Sequence, residues 1–307
     1  MDLSSISPTL LVASIMVSAT PILLAAIGEM VVEKSGVLNL GVEGMMITGA
    51  VVGFAVAVET GSPSMGFVVA ALASALLSMV FGVLTQLLLS NQVATGLGLT
   101  LAGLGLSALI GKPYEGMRSP TLPRIDIPGL SDIPFLGRVL FGHDPMVYFG
   151  LGLVLAVWAF LKFTRAGLIL RATGESHDSA HALGYKVVRI RLAAIFFGGA
   201  CAGLGGAYLS LVRVPQWTEG MTAGAGWIAL AIVVFASWRA GRILIGAYLF
   251  GGVTVLQLNL QAAGVQVPVA LLSASPYLMT ILVLVIISAR GQHEAPASLG
   301  RPFHASN

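Results

Sequence analysis

By type and spacing, the residues most suggestive of chemistry are His177 and His181, four apart in the string His177-Asp178-Ser179-Ala180-His181. On a helix two imidazoles at that spacing share a face, and an acid between them has the outline of the H-E-x-x-H zinc motif. Here the acid is Asp, one methylene shorter than Glu, no third ligand stands nearby, and the surroundings are basic and rich in small residues. The string fits a solvated helix face better than a metal centre, and no metal ligand is assigned. The one cysteine, Cys201, sits in an apolar Gly/Ala stretch, so the chain forms no internal disulfide and no Cys-based zinc site.

A second set of polar residues lies inside or at the ends of long apolar stretches: Glu29, Asn39, Glu43, Gln86, Asn91, Gln92, Gln257, Asn259 and Gln261. Ionisable groups are costly in a bilayer and face a cavity or a partner. Carboxamides carry donors and acceptors together, which suits a neutral polyhydroxyl or nucleobase ligand. They serve equally well as helix–helix hydrogen bonds of about 1 kcal/mol each. Asn39, Glu43, Asn91, Gln92, Gln257 and Asn259 are the substrate-pathway candidates. Trp217 and Trp227 are able to stack on a base or sugar, but tryptophan reads more readily as an interfacial anchor. No Asp/Glu/His chain runs through the apolar stretches, which argues against a proton relay. There is no G-x-x-x-x-G-K-[ST]; Gly96-x-Gly98 and Gly103-x-Gly105 lack a preceding strand and read as helix-packing glycines. No catalytic residue is assigned, and the chain does not hydrolyse ATP by itself.

The elements that position these residues follow from composition. Of 307 residues 56% are hydrophobic and 9% charged, with a mean hydropathy of +0.92; soluble domains carry roughly a quarter charged residues. Most of the surface must therefore face lipid or other helices. A net charge of +3 is no nucleic-acid footprint. The first apolar stretch has an acidic Asp2, no basic lead and no clear A-x-A site, so it is expected to stay as a membrane helix. A bilayer takes about 20 apolar residues as a helix. The expected fold is an all-α polytopic transmembrane bundle of about 8–9 segments, at 9–28, 45–58, 65–89, 94–111, 146–161, 192–212, 227–238, 243–262 and 271–289. Segments 45–58 and 227–238 are short and are preceded by the glycine-containing, polar-punctuated stretches 36–44 and 220–226. Such interruptions at corresponding places in two halves point to a transporter site, though ordinary short helices fit as well.

Charge orients the chain. Segment 162–191 has six basic residues against Glu175 and Asp178, whereas 112–145 balances four basic with four acidic residues. The positive-inside rule puts 162–191 in the cytoplasm and 112–145 outside. Counting onward places Arg239, Arg242 and the tail from Arg290 inside; counting back places 29–44 inside and the N-terminus outside. Six prolines make 112–145 an irregular cap, with room for one interfacial turn at 135–141. Residues 1–290 read as one transmembrane domain and 291–307 as a flexible cytoplasmic tail. Gly49 and Gly53, Gly199 and Gly203, and the run GGACAGLGGA at 198–207 imply close backbone approach, within one chain or at a dimer seam. In the cytoplasmic loop Glu175–Gly184 reads as a short helix, with Ser176 as N-cap, Gly184 as stop, and Ser179, Ala180 and Leu183 on one small apolar face. Its form fits docking into a groove on a soluble partner, and equally an ordinary interfacial loop.

Three segments carry a family resemblance. GEMVVEKSGVLNLGVEGMMITGA (28–50) resembles the signature of ABC-importer permeases of the branched-chain amino acid/ribose permease family, and the form EKSGVLNLGVEGMM is most like its nucleoside and simple-sugar branch. NQVATGLGLTLAGLGLSALIG (91–111) is similar to that branch's next helical pair. RATGESHDSAHALGYKVVRIRLAAIFFGGACAGLGGAYLSL (171–211) is similar to its cytoplasmic coupling loop and the Gly-rich helix after it. The likeness spans roughly 20–290.

The resemblance implies a permease subunit paired with a second, different permease. Two nucleotide-binding domains, often fused in one chain, would bind ATP and Mg, so this chain would hold no cofactor. An extracytoplasmic substrate-binding lipoprotein would deliver cargo to the bacterial inner membrane. The helix near Gly174–Gly184 would be the coupling helix, with Gly174, Glu175, Ser176, Ser179, Ala180, Leu183 and Gly184 toward the ATPase. Asn39 and Glu43 match polar positions of the first motif, and the coupling loop departs from the family's common form, since His177 and Asp178 stand where neutral residues or proline are frequent. The expected function is half of the translocation pathway for nucleosides by alternating access. The alternatives are a simple sugar such as ribose as cargo, an ion-coupled secondary carrier, and an intramembrane enzyme, for which no catalytic pair is visible.

Overall fold

Most helices begin behind a short polar side chain or a proline, the residues that best satisfy free N–H groups or dispense with one. The computed structural model describes residues 8–125, 137, 141–262, 268, 274–275, 277–279, 281–282, 285 and 295–304. Helix α1 is Pro8–Lys34, with Pro21 inside it, and α2 is Val42–Thr60. Helix α3, Pro63–Gly82, starts behind Ser62, whose side chain accepts from the Met65 N–H, and continues through a π-turn at Val83–Leu87. Helix α4, Gln92–Gly111, is capped by Asn91. Helix α5, Pro145–Phe163, is capped by Asp144, which accepts from the Met146 and Val147 N–H groups. Thr164 closes α5 and caps α6, Arg165–Glu175; Ser176 in turn caps α7, His177–Ala182. Helix α8, Val187–Tyr208, ends in a π-turn at Leu209–Arg213. Helices α9, Ala225–Phe235, and α10, Ala240–Ala262, follow.

Among the described residues there is no strand, and seven helices (α1–α5, α8 and α10, three of them lengthened by their end turns) are long and apolar enough to cross a membrane. The architecture is the expected helical bundle. Segment 227–238 is short as expected, eleven residues as Ala225–Phe235. Segment 45–58 is not: α2 takes in Val42 and Glu43 and reaches 19 residues. The loop 162–191 contains a further helix, α6, whose polar composition hid it from a hydropathy reading. The expected span 271–289 and the turn at 135–141 fall mostly outside the described residues.

Helix α8 packs on α1, α2 and α3, while α1 also carries α5, α9 and α10. Helix α4 packs on α2 and leaves Leu101 and Leu109 exposed, as α5 leaves Leu155, apolar positions suited to lipid or to a helix of another subunit. The glycines resolve to contacts within this chain. A Cβ on Gly49 would meet the Gly203 backbone, one on Gly103 the Gly44 backbone, and one on Gly206 the Met46 carbonyl. Hydroxyls tie the same seams: Ser74 donates to Met45 O (2.8 Å), Ser78 to Ile195 O (3.0 Å) and Ser210 to Ala50 O (2.8 Å). Trp217 is no interfacial anchor. It is 1% exposed, seated on Gly111, with its indole N–H toward Ser107 Oγ at 3.4 Å.

Within the segment 291–307, expected as a tail, the described residues 295–304 are packed. Ser298 and Phe303 are buried, the Ser298 N–H donates to Gly174 O (2.9 Å), and the Gly300 N–H donates to Gly36 O (3.2 Å). A polar composition concealed two groups that the body of the protein holds.

Candidate functional site

The two interrupted segments, 36–44 and 220–226, meet in the interior of the bundle. Glu43 lies in the first turn of α2, 4% exposed. Its Oε1 accepts from Thr222 Oγ1 at 2.6 Å and the Gly224 N–H at 2.9 Å; its Oε2 accepts from the Gly226 N–H at 2.6 Å. A carboxylate is the natural acceptor at a helix N-terminus, where free N–H groups and the macrodipole concentrate positive potential. Glu43 thus closes α9 from the start of α2. Gly226 makes this approach feasible, since a Cβ there would meet the Glu43 backbone at 2.5 Å.

Asn39 and Gln92 join this junction. Asn39 is fully buried; its Oδ1 accepts from the Gly41 N–H (3.0 Å) and its amide donates to Glu29 Oε2 (3.4 Å). Gln92 Oε1 accepts from the Leu38 N–H at 2.8 Å, and Thr100 donates to Leu40 O at 3.1 Å, so α4 grips the loop before α2. Gln92 Nε2 and Glu29 Oε1 make no hydrogen bond among the described residues. Asn91, one residue from Gln92, is exposed and caps α4. Gln257 and Asn259 are on α10, half-buried, and Asn259 donates to Val255 O of its own helix at 2.8 Å. Asn39, Glu43 and Gln92, three of the six pathway candidates, therefore cluster; Asn91 faces outward at the start of α4, and Gln257 and Asn259 lie on α10. Glu33 is a further buried carboxylate, one turn beyond Glu29, and accepts from the Trp238 indole at 2.5 Å.

The second feature is at the end of the bundle that carries the basic loop. Ser176 accepts from the Ser179 N–H at 3.2 Å, and Gly184, at φ +85°, ends the turn, as the spacing predicts. The helix proper is six residues, His177–Ala182, rather than ten. Ser179, Ala180 and Leu183 do not form one outward face. Ala180 is 2% exposed and packs with Val187 and Phe303, whereas Leu183 is 77% exposed. Gly174 also faces inward, since a Cβ there would meet the Lys34 carbonyl; Glu175, Ser179 and Gly184 face outward.

What holds α7 in place is Arg191, counted in the sequence only as a loop charge. It is fully buried. Its Nε donates to Ser35 O (3.2 Å), its Nη1 to Gln86 Oε1 (3.3 Å) and Arg301 O (3.1 Å), and its Nη2 lies 3.3 Å from His177 Nδ1. One guanidinium thereby joins the loop before α2, the end of α3, the tail and α7. Its planar fork of five donors suits four acceptors from four directions. The ring of Phe303 packs edge-on against both His177 (5.4 Å) and His181 (5.2 Å). The HDxxH histidines are an aromatic seat for the tail, and among the described residues no three His, Cys, Asp or Glu groups are placed to hold a metal. Burial first, and the Arg191 charge second, push the His177 imidazole below its ordinary value; Asp178 acts the other way. A guanidinium facing Nδ1 requires that nitrogen to accept, which leaves the proton on Nε2, 3.6 Å from Asp178 Oδ1.

The junction thus ties the starts of α2, α4 and α9 together, and Arg191 ties α7 to the loop before α2. Residues 11–288 match the family described as "Branched-chain amino acid transport system / permease component". The chain is 40% identical over 289 residues to a Haloferax volcanii protein named "Putative glucose ABC transporter permease protein", covering 87% of this chain and 88% of that one. It is 30% identical to the guanosine ABC transporter permease protein of Bacillus subtilis, over 96% of each chain. It is 31% identical to the nucleoside ABC transporter permease protein of Lactococcus lactis, over 90% and 92%. No solved structure matches the chain significantly. The chain belongs to the permease family of the branched-chain amino acid transport systems and is an ABC transporter permease.

Proposed function

We propose that this multi-pass membrane protein is one of two permease subunits of an ATP-driven importer, and that its cargo is a nucleoside. The observation that carries the cargo reading is the similarity, over nine-tenths or more of each chain, to two permeases named for guanosine and for nucleosides. The buried amides Asn39 and Gln92 beside a fully hydrogen-bonded carboxylate support a neutral solute. The power input is α7, whose Leu183 stands out from the protein toward a partner ATPase that binds ATP and Mg. An extracytoplasmic binding lipoprotein supplies cargo, and a second permease completes the path in a bacterial inner membrane. Closure of the ATPases moves α7; Arg191 transmits that movement to the loop before α2, and the path opens alternately to each side.

The 40% identity to the glucose permease favours a second reading, a simple sugar. Uptake of labelled guanosine, inosine, ribose and glucose by cells lacking this gene, with and without its restoration, separates the two. Loss of nucleoside uptake alone supports the first reading and loss of sugar uptake alone the second. Unchanged uptake of all four overturns both.

A further inference from the structure

A cleft of about 620 Å³ lies between α1, α5, α6 and α8. Val31 closes its back, Leu153 and Phe160 form one wall, Ile190 and Phe197 the other, and Ile169 of α6 the floor. Of its fifteen lining residues among those described twelve are wholly apolar, and the polar groups are those of Tyr185, Lys186 and Arg189, within five residues of one another on the run into α8 and its first turn. Among the described residues no acidic side chain lines it. Lys186 and Arg189 are exposed, and they belong to the loop with six basic residues against two acidic ones.

We propose that this cleft holds one phospholipid of the leaflet on the basic-loop side, with an acyl chain between α5 and α8 and an anionic headgroup at Lys186 and Arg189. Two arguments converge. The cleft is cut between membrane-spanning helices, where the surrounding medium is hydrocarbon as apolar as its walls, so an acyl chain recovers dispersion contacts that a void forfeits. Its charge is confined to one end, at the level of the amphipathic α6, and is entirely positive. That is the asymmetry of a phospholipid, and basic pockets between membrane helices on the cytoplasmic side select anionic headgroups. A helix from another subunit would match the walls but not the two cations. Because Tyr185 adjoins Gly184, the lipid lies against the base of α7.

The test uses the full-length permease, reconstituted into nanodiscs of equal phosphatidylglycerol and phosphatidylcholine, extracted and weighed by native mass spectrometry. One retained phosphatidylglycerol, in preference to phosphatidylcholine, is expected. The double variant Lys186→Gln/Arg189→Gln, both exposed positions, should lower that retention by about tenfold or more at unchanged melting temperature. Ala193→Phe fills the cleft from α8 without altering charge and should abolish retention of either lipid; Ala156→Phe fills it from α5 and serves if Ala193→Phe misfolds. Equal retention of the two lipids, or retention indifferent to filling, overturns the proposal. So does a photo-crosslinker at Ile169 that labels protein in native membranes instead of lipid.

Discussion

The Glu43 carboxylate, in the first turn of α2, accepts the backbone N–H of Gly226 at 2.6 Å, 183 residues along the chain. With Thr222 and Gly224 it receives three hydrogen bonds, all inside the bundle. Hydrogen bonds to a charged group contribute about 1.5–3 kcal/mol each, and stranding their donors costs more. Glu43→Ala is expected to destabilise by roughly 3–5 kcal/mol, and Glu43→Gln by less, because one oxygen is kept. Thermal melting of purified protein checks this. An alanine variant as stable as wild type would show that the carboxylate does not hold α9.

The glycines divide into two classes that a single substitution separates. Gly206→Ala drives a methyl into the Met46 carbonyl and is expected to abolish stable insertion. Gly98→Ala and Gly105→Ala, where a Cβ meets nothing within 4 Å, should be neutral or gain up to about 1 kcal/mol of helix propensity. Membrane abundance of the three variants reads the difference.

At α7, Leu183→Glu should leave melting within about 0.5 kcal/mol of wild type, because the side chain is 77% exposed. It should still cut uptake severalfold or more if the ATPase docks there. Ala180→Leu, in contrast, overpacks against Val187 and Phe303 and should lose stability and uptake together, by about 1–3 kcal/mol. Full uptake with Leu183→Glu would exclude this face from docking.

Docking of the tail should depend on pH. His177 sits below its ordinary value of 6.5, owing to burial and then to Arg191. Below that ordinary value the unfolded chain therefore binds more protons than the folded one, and stability falls as pH drops from 6.5 through the depressed value; above 6.5 it is flat. Amide protection at Ser298–Phe303, measured against the intrinsic exchange rate at each pH, should fall below pH 6.5 and hold steady above it. His177→Gln should flatten the profile, and Asp178→Asn should move the window lower, since Asp178 raises the value.

Much of this fold was legible because hydropathy and length nearly determine a membrane helix. The seven long helices among the described residues, the short α9 and the caps Ser176 and Gly184 all follow from residue type. Helix α6 was not legible, because a half-polar interfacial helix has no long apolar run. The tail was missed because its hold depends on Gly174 O, Gly36 O and Arg191, three groups distant in sequence. Arg191 illustrates the general difficulty: a charge count records a cation but not whether it is solvated or buried among carbonyls. The junction was half visible, since the interruptions at 36–44 and 220–226 were each apparent, but nothing local said that one residue of the first would close the second.

The backbone contacts of α2 also bear on heredity. Any missense change of a glycine codon adds at least one carbon. Gly44, Gly49, Gly103, Gly203 and Gly206 have backbone within 2.7 Å of where that carbon would stand, so no amino-acid exchange there is mild. Gly98, Gly105 and Gly152 meet nothing within 4 Å. Natural variation in this gene should be sparse in the first group and free in the second, which makes population sequencing a direct reading of where these helices touch.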